Sequence, residues 1–185
     1  MRGQYLIAGV GGQGVVTAAS VLSRVATNLG FEVLGSETHG MSQRGGSVVS
    51  HWKVGDFAAP LICKGAADCL IAFNAVEGYR NLDFLRSGGN AVFNAPVGGL
   101  RPEVAAFLDE QGVTYRAFDA LAEVAREKRY KSLNQMVLGF VAGCGWFPFA
   151  EDDLRSVVHG FGKPQFREAN VWAFERGVEL AREDS

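Results

Sequence analysis

Two stretches of this 185-residue chain hold residue types that do chemistry, at spacings that suit it. The first is Gly9-Val10-Gly11-Gly12-Gln13-Gly14, a G-x-G-x-x-G segment between an apolar run and a helical pattern. Glycines there let the backbone approach a phosphate closely, and the amides opening the helix then point at the anion. Three readings compete. The loop contacts an anion, or it only permits a tight turn and close helix–strand packing, or it binds a dinucleotide such as NAD. The last needs an acidic residue about 20 positions on, at the end of the second strand, to hold a ribose hydroxyl. Glu37 stands near that place, but Gly35-Ser36 separates it from the last apolar residue of the strand. No later stretch pairs an acid with a base for hydride transfer.

The second stretch is "SETHGMSQRGG", Ser36–Gly46, read as a polar loop. Arg44 is a permanently charged planar fork suited to phosphate or carboxylate. Gly45 and Gly46 leave amides open for the same anion, and Gly40 lets the chain turn closely. Thr38, His39, Ser42 and Gln43 add hydrogen-bonding groups, and Met41 is a packing residue. A loop after the second parallel strand lies at the carboxyl edge of the sheet, beside the glycine loop, so the two share one crevice. The alternative for His39 and Arg44 is a surface hydrogen-bond network that holds no ligand. No nucleophile–base–orienter arrangement is legible, so no catalytic residue and no metal ligand is assigned. His51, within a strand, and His159, at a helix end, read as structural.

The elements that position these loops follow from periodicity. Tyr5–Ala8 reads as a buried parallel strand. Val15, Ala18, Ala19, Leu22, Val25, Ala26 and Leu29 recur at helical spacing, and Gly30 closes that helix. Phe31–Leu34 is a second strand, so the start is a βαβ unit of about 30 residues. Strands are expected at Ser47–Val54, Asp68–Phe73, Ala91–Asn94 and Thr114–Phe118. Helices are expected at Val76–Arg86 (ended by Gly88-Gly89), Glu103–Glu110, Ala120–Lys128, Leu133–Ala142 and Glu151–His159, with a last one opened by Pro164. Its stripe is Val171, Phe174, Val178 and Ala181. The alternation predicts an α/β fold: three layers, a mainly parallel sheet, a Rossmann-like βαβ start and a helical C-terminus.

Composition narrows the partners. With 48% hydrophobic and 21% charged residues the chain can build a packed core, and its length predicts one domain, 1–185. A net charge of −2 gives no electrostatic footprint for nucleic acid or an anionic membrane. No apolar run approaches the roughly 20 residues of a membrane helix, and "MRGQYLIAGVGGQG" does not read as a signal peptide. A cytoplasmic protein is therefore expected. Cys63, Cys69 and Cys144 are too few for a disulfide frame or an iron–sulfur cluster and read as buried structural thiols.

"GVGGQGVVTAASVLSRVA" followed by "SETHGMSQRGGSVVSHWKVG" resembles the gamma-type subunit of 2-oxoacid:ferredoxin oxidoreductases, most closely the beta (small) subunit of the indolepyruvate enzyme. Gly9, Gly11, Gly12, Gln13 and Gly14 match its first motif. Thr38, His39, Gly40, Met41, Gln43, Arg44, Gly45, Gly46 and Ser47 match its second. "NQMVLG" (Asn134–Gly139) and "NVWAFERG" (Asn170–Gly177) resemble later elements, so the likeness spans nearly the whole chain.

The resemblance implies a gamma-type catalytic domain over 1–185. Its complex oxidatively decarboxylates a 2-oxoacid to an acyl-CoA and passes electrons to ferredoxin. Thiamine diphosphate and iron–sulfur clusters would sit on the partner catalytic subunit, since this sequence shows neither apparatus. The chain would bind no cofactor alone, would be inactive alone, and would self-associate as a homodimer through an apolar partner face. The shared crevice would meet coenzyme A or cover the thiamine site at the subunit interface. "THGMSQRGG" leans toward an aryl-pyruvate substrate, with pyruvate, 2-oxoglutarate and branched-chain oxoacids left open. The rival functions are a stand-alone NAD-dependent Rossmann oxidoreductase and a nucleotide-sensing or scaffold module.

Overall fold

The structure, a computed structural model, describes residues 1–40, 45–96 and 99–183. Gly3–Val10 forms β1. Tyr5 and Ile7 enter one core, Leu6 and Ala8 the other, and none is more than 4% exposed. Cover on both faces is why this run is apolar without alternation. Val15–Asn28 is α1, with Val15, Ala18, Ala19, Val21, Leu22, Val25 and Ala26 as its buried stripe. β2 is Val33–His39, β3 Ser47–Val54, β4 Ala67–Ala72, α2 Ala75–Arg80, β5 Leu85–Asn94, α3 Pro102–Glu110 and β6 Thr114–Phe118. The C-terminal part is helical: α4 Ala120–Arg126, α5 Leu133–Gly143, α6 Glu151–Gly160 and α7 Arg167–Glu183.

The six strands order β2-β3-β1-β4-β5-β6. The β1–β4, β4–β5 and β5–β6 pairs are parallel. β3 runs antiparallel to both neighbours, as it must after so short a connection from β2, because a parallel pair needs a crossover of about a dozen residues. One core packs α1 and α4–α7 on one face of the sheet. The second packs α2, α3 and flanking loops on the other, which makes the expected three layers. Among the described residues no helix is long and apolar enough to cross a membrane.

The βαβ expectation holds in direction but not in adjacency. β1 and β2 point the same way, since each is antiparallel to β3, yet β3 lies between them. Four local expectations are corrected. The second strand starts at Val33, not Phe31, and runs on through Ser36–His39, which the polar composition marked as loop. The helix expected over Val76–Arg86 stops at Arg80, and a 3-10 turn, Leu82–Phe84, leads into β5. Gly88-Gly89 lies inside β5, where the register against β4 shifts between Ala67 and Cys69. Pro164 opens a 3-10 turn, Pro164–Phe166, before α7 begins at Arg167. The thiols also divide: Cys69 is buried, Cys144 half-buried and Cys63 exposed. Burial pushes the Cys144 thiol up to about 11, so it stays protonated at neutral pH.

The tightest contact between helices is α5 against α7. A Cβ added at Gly139 would lie 2.0 Å from the Phe174 carbonyl oxygen, and one at Gly177 would lie 2.1 Å from that of Met136. These glycines close the two later sequence elements, and only a missing side chain lets the backbones approach so far. Asn134 and Asn170, which open the same elements, stand together at the end of the helix pair nearer the glycine loop. Ser132 Oγ donates to Asn170 Oδ1 at 2.9 Å, and a Cβ on Gly14 would meet Asn134 Nδ2 at 2.9 Å.

Candidate functional site

The carboxyl end of β1 delivers the chain into Gly11–Gly14 and then into α1. Gln13 pins this turn: its Oε1 accepts from Val10 N at 2.9 Å, and its own amide donates to Val10 O at 3.2 Å. Gly12 and Gly14 adopt φ of +95° and +85°, conformations that favour glycine. Gly9 and Gly14 also serve packing. A Cβ on Gly9 would lie 2.9 Å from Val15 Cγ2 and 3.1 Å from Phe73 Cβ. Gly12 differs, since a Cβ there would meet nothing within 4 Å. Its open side lies beside the first turn of α1, which carries no side-chain cap and no acidic residue. That turn keeps a partial positive charge available to an anion.

The second motif reaches the same corner. Gly11 N donates to Gly46 O at 2.9 Å, and Gly40 N donates to Ser47 O at 2.7 Å. The residues that lead into β3 are therefore bonded to the glycine loop, so the described parts of the two motifs are neighbours. Gly45 takes φ +72° with open space where a side chain would stand. Gln43 and Arg44, with Met41 and Ser42, lie outside the described residues.

Thr38 and His39 stand farther away. His39 pairs with Val48, and Val48 pairs with Gly9 across the next ladder. Two strand spacings, about 9–10 Å, thus separate His39 from β1. The imidazole is more than half exposed and lies 3.7 Å from the Glu37 carboxylate on the same face of β2. The structure thus brings Gly9, Gly11, Gly12, Gln13, Gly14, Gly45 and Gly46 into one corner and leaves Thr38, His39 and Gly40 on its rim, on the far side of β3.

Glu37 fails the dinucleotide test. A ribose-holding acid belongs at the end of the strand next to β1, and that position is filled by β3 running the other way. Glu37 instead lines an open groove of about 720 Å³ between α1 and β2, with Ser23, Ser36 and Trp52. Among the described residues no group of three or more His, Cys, Asp or Glu side chains is placed to hold a metal ion. The two histidines expected to be structural differ in burial. His51 is 5% exposed, and its Nδ1 accepts from Ile62 N at 3.2 Å, whereas His159 is exposed at the end of α6.

Residues 4–180 match the family model described as pyruvate ferredoxin/flavodoxin oxidoreductase. The indolepyruvate oxidoreductase subunit IorB of Thermococcus kodakarensis is 32% identical over 96% of this chain and 95% of its own length. The fold is shared with solved structures of lower identity. A gamma subunit of keto/oxoacid ferredoxin oxidoreductase from Geobacter sulfurreducens superposes with a TM-score of 0.75 at 23% identity, over 97% of this chain and 98% of that one. The 2-oxoglutarate:ferredoxin oxidoreductase of Magnetococcus marinus, solved with 2-oxoglutarate, coenzyme A and succinyl-CoA bound, gives 0.78 at 24% identity over 98% of this chain. The present chain spans 31% of that larger one.

Proposed function

Because this chain belongs to the pyruvate ferredoxin/flavodoxin oxidoreductase family, we propose that it is the gamma-type subunit of a 2-oxoacid:ferredoxin oxidoreductase. The whole chain, 1–185, acts as one such domain and works in the cytoplasm as part of a complex. Thiamine diphosphate and the iron–sulfur clusters sit on the catalytic partner, which hands electrons to ferredoxin. This chain binds none of them alone, does not turn over alone, and self-associates as a homodimer when isolated. Its contribution is to complete the coenzyme A side of the interface. Relatives named for indolepyruvate, together with the form of the second motif, favour an aryl-pyruvate as the oxoacid.

The observation that carries this reading is the 2.9 Å bond from Gly11 N to Gly46 O. It fixes two motif loops as one backbone surface whose open glycines, Gly12 and Gly45, have no side chain of their own to fill the space. Such a surface suits a phosphate-bearing group, because amides and a helix N-terminus stabilise an anion with no carboxylate competing. Coenzyme A supplies the thiol that accepts the acyl group, and this chain's part is to hold the phosphates and exclude water at the seam. Gly9, Gly11, Gly12, Gly14, Gly40, Gly45 and Gly46 shape the backbone, and Gln13 pins the turn. Thr38 and His39 supply the polar rim, and the roles of Gln43 and Arg44 toward the same ligand rest on the sequence motif.

The test is Arg44→Ala in the complex reconstituted with its catalytic subunit. Loss of one charge-assisted bond predicts an apparent KM for coenzyme A about tenfold higher, with the complex intact. Unchanged kinetics in an intact complex would remove the ligand role. A panel of 2-oxoacids assayed on the same complex reads the substrate.

A further inference from the structure

The sheet has two edges, and only one of them is guarded. β6 is five residues long, and Arg116 on it donates to the Ala181 carbonyl at 3.1 Å, which ties α7 to that edge. β2 has seven residues, Val33–His39, with no lysine, no proline and no shift in its register against β3. Such devices are what keep sheet edges from pairing with other chains.

The two ends of β2 fix the direction of its backbone groups. Glu32 O accepts from Gly55 N at 2.8 Å, and Gly40 N donates to Ser47 O at 2.7 Å. An antiparallel ladder alternates, so Leu34, Ser36 and Thr38 turn their backbone groups to β3. Val33, Gly35, Glu37 and His39 turn theirs outward, and among the described residues no strand pairs with them. Their Cα partners on β3 include Val48, Trp52 and Val54 of the α1-side core, so this set faces α1. There the groove of about 720 Å³ runs along the edge. At Gly35 it is bare, since a Cβ would meet only His51 O, at 3.8 Å.

Two charges line that groove. Arg24 of α1 is exposed and has no hydrogen-bond or ion-pair partner among the described residues. Glu37 has one ionic neighbour among them, the His39 imidazole at 3.7 Å.

We propose that β2 is the surface through which two copies of this chain associate, strand against strand about a twofold axis at Ser36, so that two six-stranded sheets become one. Centred there, all seven residues pair. Val33 stands opposite His39 of the second copy and Gly35 opposite its Glu37, which gives about eight backbone hydrogen bonds. Each Glu37 passes over the bare Gly35 of the other copy toward its unpaired Arg24. A slip of two residues one way sets Glu37 opposite Glu37, and like charges directly opposite destabilise a strand pair. A slip the other way sets Gly35 opposite Gly35 and moves Glu37 off the glycine. This inference gives a surface to the self-association stated above and rests on that part of the reading.

Sedimentation of the full-length chain tests it. The wild type is a dimer. Gly35→Pro removes an outward N–H at an edge position where proline is tolerated; it gives a monomer with an unchanged circular dichroism spectrum. Arg24→Glu and Glu37→Arg each weaken the dimer about tenfold, and the two together restore it. Ser36→Cys, in a Cys63→Ser background that removes the exposed native thiol, forms an intermolecular disulfide in oxidised glutathione. Residues opposite each other at such a non-hydrogen-bonded site lie about 4.5 Å apart at Cα, within the span of a disulfide.

A monomeric wild type overturns both this inference and the homodimer, and leaves the subunit role to the Arg44→Ala test. A dimer that survives Gly35→Pro keeps the homodimer and overturns the β2 edge. Loss of the dimer in Gly35→Pro without recovery in the charge-swapped double variant overturns the register. If Gly35→Pro blocks assembly with the catalytic subunit and leaves self-association unchanged, the edge belongs to that subunit and not to a second copy.

Discussion

At the α5–α7 crossing, a Cβ on Gly139 or Gly177 would lie 2.0 Å or 2.1 Å from a backbone carbonyl oxygen. At the strand ends, a Cβ on Gly12 or Gly45 would meet nothing within 4 Å. Both pairs belong to the stretches that carry the family likeness, so the motif alone does not separate them. In the first region the missing side chain is needed by the rest of this chain. In the second the chain gains only a backbone conformation, and the space beside it is left for something else. A glycine motif therefore carries a functional argument only where the structure leaves its open side unfilled.

Substitution breaks the two regions apart most sharply at the helix crossing. Gly139→Ala and Gly177→Ala should each destabilise by about 3 kcal/mol, the upper range for forcing atoms into a packed site. For a chain of this size that is a fall in Tm of about 6–12 °C. Helix propensity argues the other way, since alanine is favoured over glycine in a helix interior by roughly 1 kcal/mol. A thermal melt therefore reads the sign directly. A neutral or stabilising result would mean that α5 and α7 do not pack as closely as described.

Gly12→Ala and Gly45→Ala should behave in the opposite way. Each places a side chain at positive φ, which costs roughly 1–2 kcal/mol, but neither meets an atom of this chain. Stability should fall less than at Gly139, while the reconstituted complex should show a higher KM for coenzyme A or weaker assembly. If both quantities stay at wild-type values, the open side of the loops faces neither ligand nor partner. Gln13→Ala sits between the two regions. It removes the acceptor for Val10 N and should lose about 1 kcal/mol in a denaturant melt.

The same contrast separates what the sequence made legible from what it did not. The helical C-terminus was readable because burial imposes a periodicity that a linear pattern keeps, and β3 and β6 because their Val, Trp, Thr, Tyr and Phe residues favour strands. Ser36–His39 hid its strand because β2 is a sheet edge, paired only through β3 and largely exposed, so no apolar alternation was required of it. The insertion of β3 between β1 and β2 was not legible either, because strand order is set by long-range pairing and not by local preference. The two motifs were expected to meet because β2 was placed beside β1; they meet instead because Ser47, at the start of β3, pairs with Val10 and carries Gly46 to Gly11. Gln135 sits in an apolar helix and reads as core until its unpaired oxygen is seen. Asn134 and Asn170 were visible as motif residues, but nothing in their spacing places them together.

His51 gives the mildest test, and it reaches the side of β3 that faces away from α1. The imidazole accepts from Ile62 N through Nδ1 and so must be unprotonated there to hold the 55–66 connection against the sheet. Burial, and then the nearby Lys53 ammonium, pushes its pKa below the ordinary 6.5. An unfolded chain would take up the proton first as pH falls, so the unfolded state binds more protons between the two pKa values and stability rises with pH. The contribution is complete above about pH 6.5 and is lost as pH drops through the lowered folded value. Tm measured from pH 8 to pH 5 should decline on the acid side in the wild type. In His51→Gln, which keeps an acceptor without the titration, the decline should be shallower. An identical slope in the two proteins would assign the acid sensitivity to other groups. A decline confined to the wild type would separate the buried face of β3 from the exposed rim, where His39 stands more than half exposed beside Glu37.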